Sequence, residues 1–290
     1  MKKSNILNIL LVSVGIIVGA YKYIEGGFHW YIGANIANVI MMGDIIYFII
    51  VSILAGMCSG FGVKIAKTAR RDEIECKMLI KSGFWIVLLL SIGMLVICSI
   101  CQEYIIYCAG ASPEVLYSID YYLEMYMKGF AFTTLFSYIL MVIRALGNYK
   151  IPCLFIVCAV MAEWGMIKIL MSIPSFPVYY LPYIANAKVL INIVVFLIAV
   201  VYFRVKYARW CRMRINIKIF LQTLVQFVKE GGIAGMLGLP LGFMALIEIK
   251  KYVNVEFLEA TTYNGNILML GTVIMAPLMA RLLVKKYVDD

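Results

Sequence analysis

The sequence predicts an all-α, polytopic membrane protein with about eight transmembrane helices. Of its 290 residues, 64% are hydrophobic and 14% are charged, whereas a soluble domain is about half apolar and a quarter charged. Apolar stretches of roughly 20 residues, long enough to cross a bilayer, recur along the chain. Positive charge collects in alternate loops between these stretches, which is typical of membrane topology.

The eight predicted spans are separated by short polar segments. In order, they cover residues 5–24, 35–62, 82–100, 121–143, 151–171, 185–202, 233–249 and 264–283. The first span follows two lysines and lacks a small-residue cleavage site before the second span. It is therefore expected to be a retained helix rather than a signal peptide.

The formal charge of +10 is explained by topology. Lysines and arginines fill the loops at 2–3, 64–81, 144–150, 204–218 and 281–286, whereas the intervening loops carry mainly glutamates. This positive-inside pattern predicts that both termini are cytoplasmic, in a bacterial-type inner membrane. It favours membrane lipid, including anionic headgroups, as a partner over nucleic acid.

Two short sequences indicate an internal repeat. "NVIMMG" at 38–43 in the second span matches "NILMLG" at 266–271 in the eighth, and each follows a span that contains or ends at an acid, Glu25 or Glu248. Membrane transporters are often built from repeated helical units with a binding site between them. The match could also arise by chance.

The repeat predicts three regions. Residues 1–205 would form an N-terminal six-helix lobe, 206–230 a basic cytoplasmic linker with an amphipathic helix, and 231–290 the first two helices of a second lobe. About four helices of that second lobe would then be absent. The chain is therefore expected to be incomplete or to depend on a second chain that supplies the missing helices.

Four acids in or beside the spans are candidate functional residues, since a charge inside a membrane is costly and is often retained for function. They are Glu25, Asp44, Glu163 and Glu248. Desolvation raises the pKa of such an acid and a neighbouring cation lowers it, so a proton or Na⁺ could exchange there against a cationic substrate. Abundant aromatic and methionine side chains could hold flat organic cations, although they more often serve packing.

Each acid also has a structural alternative. Glu25 and Glu248 could lie near helix ends and reach the membrane surface. Glu163 could form a buried ion pair with Lys168 or with Lys188. Asp44 could accept a hydrogen bond from a neighbouring helix. The sequence contains no recognisable enzyme constellation, phosphate loop or metal-ligand pattern, so an enzyme is the least favoured class.

Three motifs resemble the multidrug and toxic compound extrusion (MATE) transporters. They are "YILMVIRALGNYKIP" at 138–152, "SILAGMCSGFGVKIAK" at 52–67 and "GLPLGFMALIE" at 238–248. The resemblance implies a cation-coupled exporter of organic cations, with Na⁺ or H⁺ as the coupling ion. It also implies two lobes of six helices, of which the last four helices would be missing here.

The resemblance assigns roles to the acids one by one. Glu248 stands where the sodium-coupled branch of the family has a cation-binding glutamate, and Glu25 stands in place of a first-helix aspartate. Glu163 replaces an asparagine, and Ile167 one turn later also departs from the family pattern. A lipid-linked oligosaccharide flippase of the same superfamily and a non-transporting remnant or assembly subunit are the alternatives.

Overall fold

The computed structural model describes residues 34–108, 113–148, 150–171, 180–211, 217, 219–229 and 231–232. All structural statements below concern these residues. The first, seventh and eighth predicted spans lie outside them, as do the candidate residues Glu25 and Glu248.

Every regular element in the described part of the chain is a helix, which confirms the predicted fold class. In chain order they are α1 (Ala34–Thr68), α2 (Glu73–Cys108), α3 (Pro113–Met127), α4 (Phe130–Ala145), α5 (Lys150–Met171), α6 (Tyr180–Lys206), α7 (Ala208–Cys211) and α8 (Ile219–Lys229). α1, α2, α5 and α6 are long and apolar enough to cross a membrane, and α3 with α4 can form one further, bent span.

Short capped turns connect neighbouring helices. Between α1 and α2, the Asp72 carboxylate accepts hydrogen bonds from the backbone N–H groups of Ile74 at 2.8 Å and Glu75 at 3.0 Å, as an N-cap residue does. After α4, Gly147 adopts a positive φ of 92°, which ends a helix at little steric cost. Asn148 then accepts a hydrogen bond from the first turn of α5.

The predicted span at 121–143 is divided in the structure. α3 and α4 meet at a bend of 51°, and the two-residue connection is Lys128 and Gly129. A Cβ on Gly129 would lie 3.2 Å from the side chain of Val189 and 3.3 Å from its Cα. The bend is therefore pressed against α6, and this close approach favours glycine.

α4 occupies the centre of the bundle and contacts α1, α2, α5 and α6. The buried side chains form two clusters. One lies around Tyr122, Tyr126 and Phe130, and the other lies around Phe61 and Tyr138. Apolar side chains on α2 and α6 are exposed on the outside of the bundle, as a membrane protein requires where lipid replaces water.

Basic side chains gather at one end of the bundle. Because successive spans alternate in direction, the last turns of α1, α4 and α6 lie at the same end as the start of α2. Lys64, Lys81, Arg144 and Arg204 mark this end, which is called the basic end below. The basic segments of the sequence therefore lie together on one positively charged face of the bundle.

Part of the predicted linker packs onto the bundle. α8 buries Phe227 completely, with its ring centroid 5.0 Å from that of Phe61 on α1. Just beyond α8, a Cβ on Gly231 would lie 2.6 Å from the carbonyl oxygen of Met57. The three-region division of the chain remains a prediction.

The seven cysteines whose side chains the structure describes are free thiols. Cys98, Cys101 and Cys108 are part of this set. Cys98 belongs to the apolar core of the bundle.

Candidate functional site

A buried ion pair joins α1 to α6. The Lys188 ammonium donates a hydrogen bond to Oδ2 of Asp44 at 2.6 Å. Asp44 is 8% exposed and Lys188 is 1% exposed. The other carboxylate oxygen, Oδ1, accepts a hydrogen bond from the Tyr122 hydroxyl of α3 at 2.7 Å. Three helices therefore meet at this one carboxylate.

A second acid approaches the same ammonium from α5. Oε1 of Glu163 lies 3.7 Å from Nζ of Lys188, within ion-pair range but beyond hydrogen-bond distance. Lys188 is thus shared unequally between two carboxylates, with Asp44 the closer partner. When all three groups are ionised, these three side chains carry a net charge of −1. Asp44, Lys188 and Glu163 are called the charge cluster below.

Tyrosine rings form one wall of the charge cluster. Tyr47 lies about one helical turn after Asp44 and stacks on Tyr126, with centroids 3.8 Å apart and planes inclined by 16°. The Lys188 ammonium lies 5.6 Å from the Tyr126 ring centroid, a cation–π distance. The hydroxyl of Tyr47 forms a hydrogen bond with Thr133 at 2.7 Å. The hydrogen bond to Thr133 and the stacking of the two rings therefore fix the position of this wall.

Gly43 allows α3 to approach Asp44. A Cβ at Gly43 would lie 2.4 Å from Cδ1 of Tyr122, far inside a normal contact. The absent side chain leaves room for the Tyr122 ring, whose hydroxyl then reaches the neighbouring carboxylate. Packing between α1 and α3 therefore sets the geometry of the hydrogen bond.

The structure selects between the two lysines expected near Glu163. Lys188 is the ion-pair partner in the bundle, whereas the Lys168 ammonium lies over the Trp164 ring at 4.8 Å. The indole Nε1 of Trp164 is buried and has no hydrogen-bond partner among the described residues.

A protein-family model matches part of this chain. The model of the MatE family matches residues 32–164, a stretch that includes α1 to α4 and most of α5. The matched segment covers 133 of the 290 residues of the chain. Members of the family are transporters rather than enzymes. The comparison with curated proteins found no match.

Solved structures show that the MATE fold continues through the described chain. A MOP superfamily transporter from Pyrococcus furiosus superposes with a TM-score of 0.75 at 16% identity, covering 94% of this chain and 61% of its own. An outward-facing multidrug resistance MATE transporter superposes with a TM-score of 0.71 at 14% identity, covering 93% of this chain and 62% of its own. The Vibrio cholerae MATE transporter VcmN superposes with a TM-score of 0.72 at 14% identity, covering 98% of this chain and 66% of its own.

The chain therefore spans less than two thirds of the length of these three transporters. At such low identity, the likeness shows a shared fold. This chain and these transporters therefore have the same helical architecture over the region that superposes.

Two of the four predicted site residues meet within the segment that the MatE model matches. Asp44 and Glu163 both lie within residues 32–164 and converge on Lys188, which follows the matched segment. Glu25 and Glu248 lie outside the described residues, so their roles remain predictions. The structure thus supplies for Asp44 and Glu163 the partners that the structural alternatives required.

The sequence did not single out the rest of the site. The sequence indicates Lys188 as a partner for Glu163 but not for Asp44, because Asp44 and Lys188 are 144 positions apart. Tyr122 and Tyr126 are two of 20 tyrosines and carry no distinguishing local pattern. A lysine inside an apolar span, which costs a few kcal/mol by insertion scales, was the one signal that could have placed Lys188 in the site.

Proposed function

We propose that this chain acts in secondary active export of organic cations in exchange for H⁺ or Na⁺, and that the charge cluster is the coupling site of the lobe. The observation that carries the proposal is the convergence of Asp44 and Glu163 on one buried ammonium. We also propose that the basic end faces the cytoplasm of an inner membrane, in keeping with the positive-inside rule.

Charge balance gives the cluster its coupling chemistry. With both acids ionised and Lys188 protonated, the three side chains together carry a charge of −1, and net charge is costly in an apolar bundle. One bound H⁺ or Na⁺ brings the cluster to neutrality. A cationic substrate can neutralise the same charge instead. Competition between the two for one acid is sufficient for exchange.

The two acids have different roles in this scheme. Asp44 receives hydrogen bonds from Lys188 at 2.6 Å and from Tyr122 at 2.7 Å, so it serves as the fixed anchor of the ammonium. Glu163 lies 3.7 Å from the same ammonium and is 19% exposed at its side chain. We assign Glu163 as the acid that exchanges the coupling ion for substrate.

The tyrosine wall gives the substrate a second binding element. Tyr126 presents its ring to the Lys188 ammonium at 5.6 Å. When the lobe opens, the same π surface is available to a flat organic cation, which cation–π attraction favours. A substrate cation at this wall would lie close to the acid that releases the coupling ion.

The proposal is tested with vesicles from cells that express this chain. Uptake of a fluorescent organic cation such as ethidium is followed under an imposed pH gradient, a Na⁺ gradient or neither. In cells that also express any chain on which this one depends, gradient-driven uptake is expected for the unaltered chain and is expected to be lost in Glu163→Gln. Glu103→Gln is the matched control, since Glu103 is an exposed acid on α2. Equal uptake by Glu163→Gln and Glu103→Gln would contradict the role of Glu163.

A second candidate function is supported by Lys188 itself. For the Pyrococcus furiosus transporter, reverse polarity of the binding pocket suggests a different function. In this chain, a lysine that is 1% exposed places positive charge among the acids. An anionic lipid-linked oligosaccharide would pair with such a cation. Under this alternative, the vesicles would translocate a fluorescent lipid with an anionic headgroup, and Lys188→Gln would abolish that activity.

A further inference from the structure

A second site lies at the basic end of the bundle, away from the charge cluster. A cavity of about 230 Å³ opens there between α2, α4, α6 and α7. Two cationic side chains, Lys81 and Arg204, line it, and the remaining wall is aromatic and aliphatic, including Phe84, Trp85 and Phe203. Cations above an apolar wall are complementary to an anionic amphiphile.

The inner wall of the cavity is built by close helix packing. The Tyr138 hydroxyl of α4 donates a hydrogen bond to the carbonyl oxygen of Ile80 on α2 at 2.7 Å. A Cβ on Gly83 would lie 2.4 Å from that hydroxyl. Trp210 of α7, which is 6% exposed, lines the cavity as well. Buried side chains therefore form the inner wall of the cavity.

The cavity continues onto the outer surface of the bundle. On α2, Leu89 and Ile92 follow Trp85 at helical spacing, and all three are exposed. On α6, Val201 and Leu197 precede Arg204 at the same spacing and are also exposed. Because Trp85 and Arg204 line the same cavity, the two apolar strips begin side by side at its mouth.

We infer that this cavity binds an anionic phospholipid. Lys81 and Arg204 pair with the phosphate, and the acyl chains lie along the two apolar strips. Basic pockets between transmembrane helices on the cytoplasmic side suit anionic headgroups. Pockets that enclose a drug-sized molecule measure roughly 300–1,000 Å³. The smaller cavity found here holds the headgroup region and leaves the chains outside, in lipid.

The site is separate from the coupling chemistry. Lys188 and Arg204 lie on the same helix, sixteen residues apart, so the charge cluster and the lipid site are separated by ~24 Å at 1.5 Å per residue. The lipid inference rests on the orientation of the basic end but not on transport activity. Its test can therefore fail or succeed independently of the proposed exchange of cations.

Two tryptophans in the cavity wall provide a direct readout. Trp85 and Trp210 line the cavity, so the variant Trp30→Phe/Trp164→Phe retains fluorescence from the cavity alone. This chain is purified and placed in phosphatidylcholine nanodiscs that contain a small fraction of brominated phosphatidylglycerol or brominated phosphatidylcholine. We expect brominated phosphatidylglycerol to quench the tryptophan fluorescence at a much lower lipid fraction than brominated phosphatidylcholine does. The reason is that each surface cation favours anionic lipid by about five-fold.

Charge variants identify the residues responsible. In the same background, Lys81→Gln/Arg204→Gln is expected to lose roughly 30-fold of the preference for phosphatidylglycerol, as the product of two such factors. Lys64→Gln/Arg70→Gln is the matched control, since it removes the same charge from the basic end outside the cavity. The control is expected to retain most of the preference. Lys81→Arg keeps the charge and is expected to bind like the parent.

Three results would overturn the inference. The first is equal quenching by the two brominated lipids in the parent chain. The second is an equal loss of preference in the cavity variant and in Lys64→Gln/Arg70→Gln, which would indicate general attraction to the basic end. The third is a parent-like preference in Lys81→Gln/Arg204→Gln. Circular dichroism and size-exclusion profiles confirm that the compared variants are folded.

Discussion

The Lys188 ammonium lies 2.6 Å from the Asp44 carboxylate, and this contact ties α6 to α1 across the interior of the lobe. Glu163 extends the contact to α5, and Tyr122 extends it to α3. A change in the charge of this cluster therefore alters contacts between four helices. Such an arrangement suits a protein in which ion occupancy must alter helix packing.

Removing Lys188 alone should destabilise the lobe strongly. Lys188→Met leaves Asp44 buried without its 2.6 Å partner, and breaking a buried pair in this way typically costs about 3–5 kcal/mol. Adding Asp44→Asn removes the stranded charge and should recover much of the loss. Unfolding in mixed micelles measures the unfolding free energy of the single and the double variant. If the double variant is no more stable than Lys188→Met, the pair is not the source of the effect.

The hydrogen bond from Tyr122 can be removed with almost no change in shape. Tyr122→Phe deletes the donor to Asp44, and hydrogen bonds to charged groups contribute roughly 1.5–3 kcal/mol. Tyr121→Phe is the natural control, because Tyr121 is the adjacent residue and is 36% exposed. A similar, small change in unfolding free energy for the two variants would argue against the contact.

A methyl group at Gly43 should disturb the site through packing. Its Cβ would lie 2.4 Å from the Tyr122 ring, and overpacking of this kind costs about 1–3 kcal/mol. Gly93→Ala adds the same group where no atom lies within 4 Å, and its higher helix propensity should leave stability equal or increased. The comparison is made by thermal unfolding in detergent. Equal unfolding temperatures for Gly43→Ala and Gly93→Ala would show that the close approach of Tyr122 to Gly43 is not required.

The packing of α8 onto α1 can be tested through Phe227. This side chain is fully buried against Phe61, so Phe227→Ala should cost about 3–5 kcal/mol of unfolding free energy. Val228→Ala truncates the next residue, which is 51% exposed, and should have little effect. A free linker would instead tolerate both changes equally.

The basic end can be tested by labelling. Single cysteines at Arg70 and at Glu103, introduced into a chain whose native cysteines are replaced, should react with a membrane-impermeant maleimide from opposite sides of the membrane. We expect Arg70→Cys to be labelled only in inverted vesicles and Glu103→Cys only in intact cells, because positive loops remain cytoplasmic. Labelling of both positions from one side would contradict the proposed topology.

Local sequence was sufficient to locate the described spans, because each must contain enough consecutive apolar residues to cross a bilayer. The prediction at 82–100 fell short of α2, which runs from Glu73 to Cys108, since polar residues continue the helix beyond the apolar core. The bend at Gly129 was not predicted. At this bend Gly129 packs closely against Val189 on another helix, and no window of local sequence contains both residues.

The sequence by itself determined the class of protein, the approximate position of the described spans, and the acids Asp44 and Glu163 as buried charges that need an explanation. Hydrophobicity, charge placement and burial cost act locally and can be read along the chain. Only the tertiary structure decided that both acids share Lys188, that Tyr122 completes the cluster, and that Lys81 and Arg204 face one cavity. Those relationships depend on how distant helices pack, and the pairwise distances that define them exist only in the folded bundle.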